Sequence, residues 1–438
     1  MRMNRHGAEL FSLLALALAV PAGAAPQGAS AVADDLSYTE ILDLDRSLRL
    51  AVQNNSQLLA AEQDVIIAQQ RVKEARLHFL PQATLGGTIT KANVKYPQVL
   101  QADFGEHIIQ PNENENLFTT TLRMVQPIYV GGRITNTYRL AQAALQQART
   151  RYDAVKRDVA LSLKQSFYAL LYSREVSASA SSSLGSARGI MQSLRLEGWD
   201  DVEAFSVLSK MESEVQASSQ RVQEDRLSLL RALNKELNTQ VEITGELKPQ
   251  PVSINLSKAM VWAMELRPEL KGEAYKAEMD AIAVNLAMSR RSPTVMLGAS
   301  YDVTGNKFPL SSNSWETTLS VQLPLSFDFW PQIEQRRAEQ RQGELNRAGT
   351  QDRVRMEVRR AHEDLVYWQT EVDSRQAKLR SLEERFAAVS AKAKPSLSAL
   401  RAYAARYELH KSYLEAVKNQ LSARARLEWA LVHDLSGE

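Results

Sequence analysis

Residues 293–304 read Pro293-Thr294-Val295-Met296-Leu297-Gly298-Ala299-Ser300-Tyr301-Asp302-Val303-Thr304, and residues 315–324 read Trp315-Glu316-Thr317-Thr318-Leu319-Ser320-Val321-Gln322-Leu323-Pro324. In the first stretch Val295, Leu297, Ala299, Tyr301 and Val303 alternate with Gly298, Ser300, Asp302 and Thr304. In the second, Trp315, Thr317, Leu319, Val321 and Leu323 alternate with Glu316, Thr318, Ser320 and Gln322. A period of two over about ten residues marks a strand with one apolar and one polar face. An earlier pair repeats the pattern: Leu85, Gly87 and Ile89 against Thr84, Thr88 and Thr90, then Phe118, Leu122 and Met124 against Thr119, Thr121 and Arg123. Strands are therefore expected at about 83–91, 117–126, 294–304 and 315–324. Polar loops are expected at Asp103–Asn116 and Gly305–Ser314.

The two pairs belong to a tandem duplication. Leu44, Ala51, Leu58, Val72, Pro81, Leu85 and Gly86 meet Leu256, Ala263, Leu270, Val284, Pro293, Leu297 and Gly298 at one constant offset, without a gap. Pro127-Ile128 then meets Pro324-Leu325 at a smaller offset, because the first copy has the longer loop. The reading divides the chain into a first repeat at 25–246, a linker at 247–255 around Lys248-Pro249-Gln250-Pro251, and a second repeat at 256–438.

Most of the remainder reads as helix, so the fold class is mainly α with a small β part. Val354, Val358, Ala361, Leu365, Trp368 and Val372 step by four and three, and Leu379, Leu382, Phe386 and Val389 resume the series. That is the 3.5-residue period of a coiled-coil seam, and it predicts one long helix over about 331–394. Ser162, Ser166, Ala169, Ser173, Val176 and Ala180 mark a second, small-residue seam in a helix over about 133–196. Sixty helical residues span roughly 90 Å. Each long helix turns, at Glu197-Gly198-Trp199-Asp200 or at Lys394-Pro395-Ser396, into a returning partner, which makes long αα-hairpins.

Four strands cannot close a membrane barrel, whose smallest examples have about eight, and an open edge cannot stand in lipid. A membrane role therefore requires a symmetric oligomer, and three copies supply twelve strands. The competing reading is an exported periplasmic coiled-coil protein of structural role, without a pore.

The N-terminus favours export. Arg2 and Arg5 precede an apolar run from Leu10 to Val20, and Ala22-Gly23-Ala24 offers a small-residue cleavage site, so 1–24 reads as a signal peptide. Among 438 residues there are 53 Lys+Arg against 51 Asp+Glu, and this balance gives no attraction to nucleic acid. The chain has no cysteine, which excludes disulfide scaffolds, cysteine zinc sites and thiol nucleophiles.

On this order of features the sequence resembles the TolC family of outer-membrane efflux and secretion channels. The likeness rests on the duplication, on Phe79-Leu80-Pro81 entering the first strand, and on Gln126-Pro127-Ile128-Tyr129-Val130-Gly131-Gly132-Arg133 leaving the second. It rests also on the closing helix from Ala416 to Val432, with Leu421, Ala425 and Leu427. The resemblance implies a homotrimer whose twelve-stranded outer-membrane barrel continues into an α-helical barrel across the periplasm. It further implies a passive exit duct for a tripartite efflux pump or a type I secretion system. The partners it implies are a periplasmic adaptor, an inner-membrane pump of RND, ABC or MFS type, and outer-membrane lipid. The second copy departs from the pattern, with Asp328-Phe329-Trp330-Pro331 where the first has Gly131-Gly132.

No catalytic set, cofactor motif or metal-ligand spacing is found. His78, His107, His362, His410 and His433 are scattered, and no Gly-x-Ser-x-Gly occurs. The residues expected to matter are structural and electrostatic. Pro81, Pro127, Gly131, Gly132, Pro293 and Pro324 are the expected strand-to-helix hinges. Asp200, Asp201 and Glu203 sit at the first hairpin turn. Asp200 or Asp201 suits a helix N-cap, and a threefold ring of such carboxylates would form a cation-favouring aperture.

Overall fold

The computed structural model describes residues 40–92, 98–101, 106–109, 115–194, 197–325, 329–390 and 396–435. The expected signal peptide, Asp328 and the Lys394-Pro395 part of the second turn lie outside these residues.

The alternating stretches form one antiparallel sheet. β2 (Gln82–Ala92), β5 (Glu115–Tyr129), β7 (Thr294–Gly305) and β8 (Ser312–Gln322) lie side by side in that order. The register sets Leu85 beside Leu122, Leu122 beside Tyr301, and Tyr301 beside Trp315. Because side chains alternate across a strand, this alignment gathers the apolar set of all four strands on one face. Ile89, Leu122, Leu319 and Val321 there are all exposed, as is Trp315 at 77%. Ser300, on the opposite face, is only 8% exposed. The sheet thus turns its apolar face outward, the reverse of a soluble sheet.

The long first loop is not wholly irregular. β3 (Gln98–Gln101) and β4 (Glu106–Ile109) form a small antiparallel hairpin of their own within it. Val99-Leu100 and Ile108-Ile109 supply short β-prone runs that the polar content of 103–116 conceals.

The helices follow the strands as long rods. α3 (Arg133–Ser193) and α7 (Phe329–Ser390) have 61 and 62 residues, and α4 (Trp199–Ala232) and α8 (Leu397–Leu431) return beside them. Near the sheet, α3 and α7 alternate with the shorter α2 (Ser56–Leu77) and α6 (Pro268–Ser289), in the order α2, α3, α6, α7. Farther away the order is α4, α3, α8, α7. Pro331 sits in the first turn of α7, where a missing N–H costs no intrahelical bond.

The α7 seam is buried from Val354 and Val358 through Leu365, Val372 and Leu379, but Val389 is exposed. The α3 seam differs from the small-residue series. Its buried line runs Val159, Leu163, Phe167, Leu170, Ser173, Val176 and Ala180, whereas Ser162 is exposed and Ser166 donates to the Ser162 carbonyl at 3.0 Å. Larger apolar side chains one step along the helix remove more area from water, so they take the interface until Ser173.

Between the two levels lie two related cores. One joins Leu42, Ala51, Leu163, Phe167, Leu229 and Ile243, and the other joins Ala259, Ala263, Val358, Leu365, Leu427 and Leu431. In the first, β1 (Glu40–Leu42) pairs in parallel with β6 (Val241–Ile243), a three-residue ladder below the reach of periodicity. Each core receives a short helix, α1 (Leu44–Asn54) or α5 (Leu256–Leu266), followed by a break. At the first break Asn55 accepts from the Gln57 and Leu58 amides at 2.9 and 3.3 Å. At the second, Arg267 takes that position with Pro268 at the helix start. Arg267 is 2% exposed; it donates to the Ala430 carbonyl at 2.9 Å, pairs with Glu357 at 2.5 Å and stacks on Trp429. A guanidinium at the C-terminal end of α8 meets carbonyls that have no helical donors.

The stretch expected as a linker is packed rather than slack. Val252 is buried, its carbonyl accepts from Gln369 at 2.9 Å, and the Gln250 amide donates to Gln420 at 3.3 Å.

Candidate aperture and strand-to-helix bends

At the first hairpin tip, α3 ends at Ser193 and α4 begins at Trp199. Neither Asp200 nor Asp201 is the N-cap. Gly198 holds that position with φ 66°, in the left-handed region that favours glycine, and makes no side-chain cap bond. Asp200 and Asp201 instead occupy the first helical turn, exposed, where the helix dipole favours negative charge. Trp199 and Phe205 stand exposed beside them at 87% and 67%.

Glu203 is placed differently from the two aspartates. One turn into α4, it forms an ion pair with Arg401, near the start of α8. The pair bridges the tips of the two hairpins over a small core of Leu184, Ala187, Ala204, Met211 and Leu400. α8 is itself capped there by Ser396, whose hydroxyl accepts from the Ala399 amide at 3.3 Å. In the sequence Glu203 groups with its neighbours, because nothing local reveals a partner 198 positions away.

A second bridge lies farther from the tip. Glu214 of α4 accepts from Lys411 and, at 3.2 Å, from the Tyr407 hydroxyl of α8. The Lys411 hydrogen bond is the main reason the Glu214 carboxyl is held below its usual range. Burial, reinforced by Glu214, pushes the Tyr407 phenol up. Arg188–Glu212 at 2.8 Å and Arg406–Glu383 at 3.3 Å tie each hairpin internally. The tips are thus joined by polar links over a thin apolar core.

The hinge residues cluster at the other end. Pro81 precedes β2, and the Phe79 carbonyl before it accepts from Gln126 at 3.1 Å. Pro127 lies inside β5, where the ladder to β7 shifts register between Pro127 and Tyr129, the kind of bulge that suits a residue without an N–H. Gly131 and Gly132 follow with φ of 63° and 76°. A Cβ on Gly131 would lie 2.4 Å from the Ser292 Cβ and 2.8 Å from the Ser289 carbonyl oxygen. The bend from β5 into α3 therefore rests directly against the bend from α6 into β7, which Pro293 closes. Pro324 lies in the unpaired stretch after β8 and lines one cleft with Val130, Ser289, Ser292 and Thr294 of the two bends.

Among the described residues no cluster of acidic or histidine side chains could hold a metal ion, and no helix is long and apolar enough to cross a membrane. Four joined strands with an outward apolar face are thus carried on helices of about 90 Å. Residues 47–195 match the family model of the outer membrane efflux proteins. The whole described architecture matches solved channels. This is a TolC-like fold.

The Campylobacter jejuni CmeC outer membrane channel aligns with a TM-score of 0.77 at 16% identity, over 90% of this chain and 87% of that one. The Vibrio cholerae outer membrane protein VceC aligns at 0.76 and 15%, over 90% and 97%. A Pseudomonas aeruginosa membrane protein aligns at 0.74 and 16%, over 89% and 93%. No curated relative matches the sequence. The expected fold, mainly α with a small TolC-like β part, is borne out.

Proposed function

We propose that this chain is one of three protomers of an outer-membrane exit duct, a passive conduit opened from the periplasm by an adaptor protein and an inner-membrane pump. The observation that carries the reading is the sheet. Its exposed face is apolar from Leu85 to Val321, and its two outer strands, β2 and β8, each present an unpaired edge. The apolar face is costly in water and the unpaired edges are costly in lipid; both costs are removed when the β8 edge of one copy pairs with the β2 edge of the next inside a bilayer. The four strands alternate in direction, so such a junction is antiparallel, like every other pair in the sheet.

The helices would continue the duct. At the tips Glu203–Arg401 and Glu214–Lys411 would hold α4 and α8 together, and partners would open the pore by displacing them. Asp200 and Asp201, exposed and repeated threefold, would line the aperture and favour cations.

The test is assembly and conductance. The full-length protein expressed in a Gram-negative host should fractionate with outer membranes as a heat-modifiable trimer and conduct in planar bilayers. A soluble, elongated species without conductance would overturn the duct and favour the structural coiled-coil reading.

A further inference from the structure

Charge gathers in one place on the inner face of the sheet. Two neighbouring cross-strand rows on that face run Thr84, Arg123, Ser300, Glu316 and Gly86, Thr121, Asp302, Ser314. One guanidinium and two carboxylates occur there, amid Thr88, Thr119, Thr304, Thr318 and Ser320, which are uncharged. The two rows span only about 7 Å along the strands.

These charges are held by the wall itself. Asp302 accepts from the Thr121 hydroxyl at 2.5 Å and from the Ser300 hydroxyl at 3.4 Å. Glu316 accepts from the Thr318 hydroxyl at 2.7 Å. Arg123, Gly298, Ser300, Glu316 and Thr318 line one small cleft, with Ser300 almost wholly covered. Gly298 leaves the inner face beside Arg123 without a side chain, so the guanidinium can lie along the wall toward Glu316. The two carboxylates are also anchored by hydroxyls of their own.

We propose that Arg123, Asp302 and Glu316 form a charged belt in the barrel lumen that biases passage by solute charge, with Arg123 tempering an otherwise strongly anionic ring. The proposal rests on the duct reading. Each protomer contributes one positive and two negative charges, a net of −1, and three protomers make a belt of −3. Removing the guanidinium doubles that charge, and removing the Glu316 carboxylate cancels it. The lumen of a twelve-stranded barrel is wide compared with a Debye length of about 8 Å at physiological salt, so the belt grades passage near the wall and does not gate it.

The absence of native cysteine makes a clean test possible. Thr119→Cys places a single thiol on the inner face, two residues from Thr121. In intact cells its reaction with externally added trimethylammonium and sulfonate methanethiosulfonates reports the local potential, independently of the periplasmic tip. Arg123→Gln should raise the cationic-to-anionic rate ratio roughly two- to fourfold, and Glu316→Gln should lower it by a similar factor. Both differences should collapse in 1 M salt, where the screening length is about 3 Å. Unchanged ratios in assembled trimers of both variants would overturn the belt while leaving the duct intact. If Arg123→Gln does not assemble, Glu316→Gln and the salt dependence decide alone. A Thr119→Cys thiol that no external reagent reaches would overturn the duct, and the belt with it.

Discussion

The two ends of the molecule are held together by different means. At the sheet end, four strands share one register, and the outward side chains repeat every second residue from Leu85 to Val321. At the tip end, two hairpins meet over five buried side chains and are joined by pairs such as Glu203–Arg401 and Glu214–Lys411. A ladder of backbone bonds and a continuous apolar face give way only together. Partly exposed ion pairs contribute about 0–1 kcal/mol each and separate one at a time. The difference suits the proposed duct, permanent at one end and openable at the other.

The strongest way to break the sheet end is to put charge on its outer face. Leu319→Lys should cost roughly 2–4 kcal/mol near the bilayer midplane, and Ser320→Lys, one residue along and on the inner face, far less. Trimer yield after mild heating in detergent measures both, and equal losses would count against a barrel. Next in size is the bend. Gly131→Ala combines a positive φ with a Cβ driven into Ser292, for a cost of about 2 kcal/mol. Gly132→Asn should cost under about 1 kcal/mol, because Asn tolerates the left-handed region and the nearest atom to a Cβ there is 3.7 Å away. Thermal dissociation of the two variants should separate clearly; similar midpoints would deny the close approach of the two bends.

At the tip the expected stability changes are smaller and the functional ones larger. Glu203→Gln or Arg401→Gln should leave trimer stability within about 1 kcal/mol of wild type yet raise single-channel conductance. Unchanged conductance would place the closing contact elsewhere. The Glu214 link adds a pH dependence. Its carboxyl is held below the ordinary carboxylate range, so its contribution is present above that range and is lost as pH falls through the lowered value. Acid should therefore loosen the tips, and Glu214→Gln should flatten the response of conductance to pH below about 4.5. The smallest stability effect belongs to Asp200→Asn with Asp201→Asn, worth a few tenths of a kcal/mol through the helix dipole. Cation preference and block by trivalent cations should nonetheless weaken. Wild-type selectivity in a well-formed trimer would remove these two residues from the aperture.

The contrast between the ends also explains what the sequence disclosed. Alternation in 294–304 and 315–324 and the seam from Val354 to Leu379 are local periodic signals, and they yield the sheet and the long helices directly. The α3 seam departs from the small-residue series before Ser173, because Ser162 and Leu163 both fit a step of four and only packing shows which side faces a neighbour. The β1–β6 ladder was invisible because three residues carry no period. At the aperture, Asp200 and Asp201 read as caps from their residue type, whereas the chain places Gly198 there. Glu203 reads with them as part of one acidic turn, because its partner Arg401 lies on another helix. Their pairing depends on how two hairpins lie across each other, which no window of sequence contains.

The strand count has a consequence for evolution. Each repeat contributes one strand running away from the helices and one running back, so a protomer begins and ends on strands of opposite sense. A ring made from any number of such units closes without a parallel seam. The same holds for a ring of unfused half-units, six where the proposed trimer has three fused pairs. The duplicated chain could thus have arisen from a hexamer of single repeats without passing through an unclosable intermediate. The number of copies would then be chosen by the curvature of the packed helices and not by the sheet.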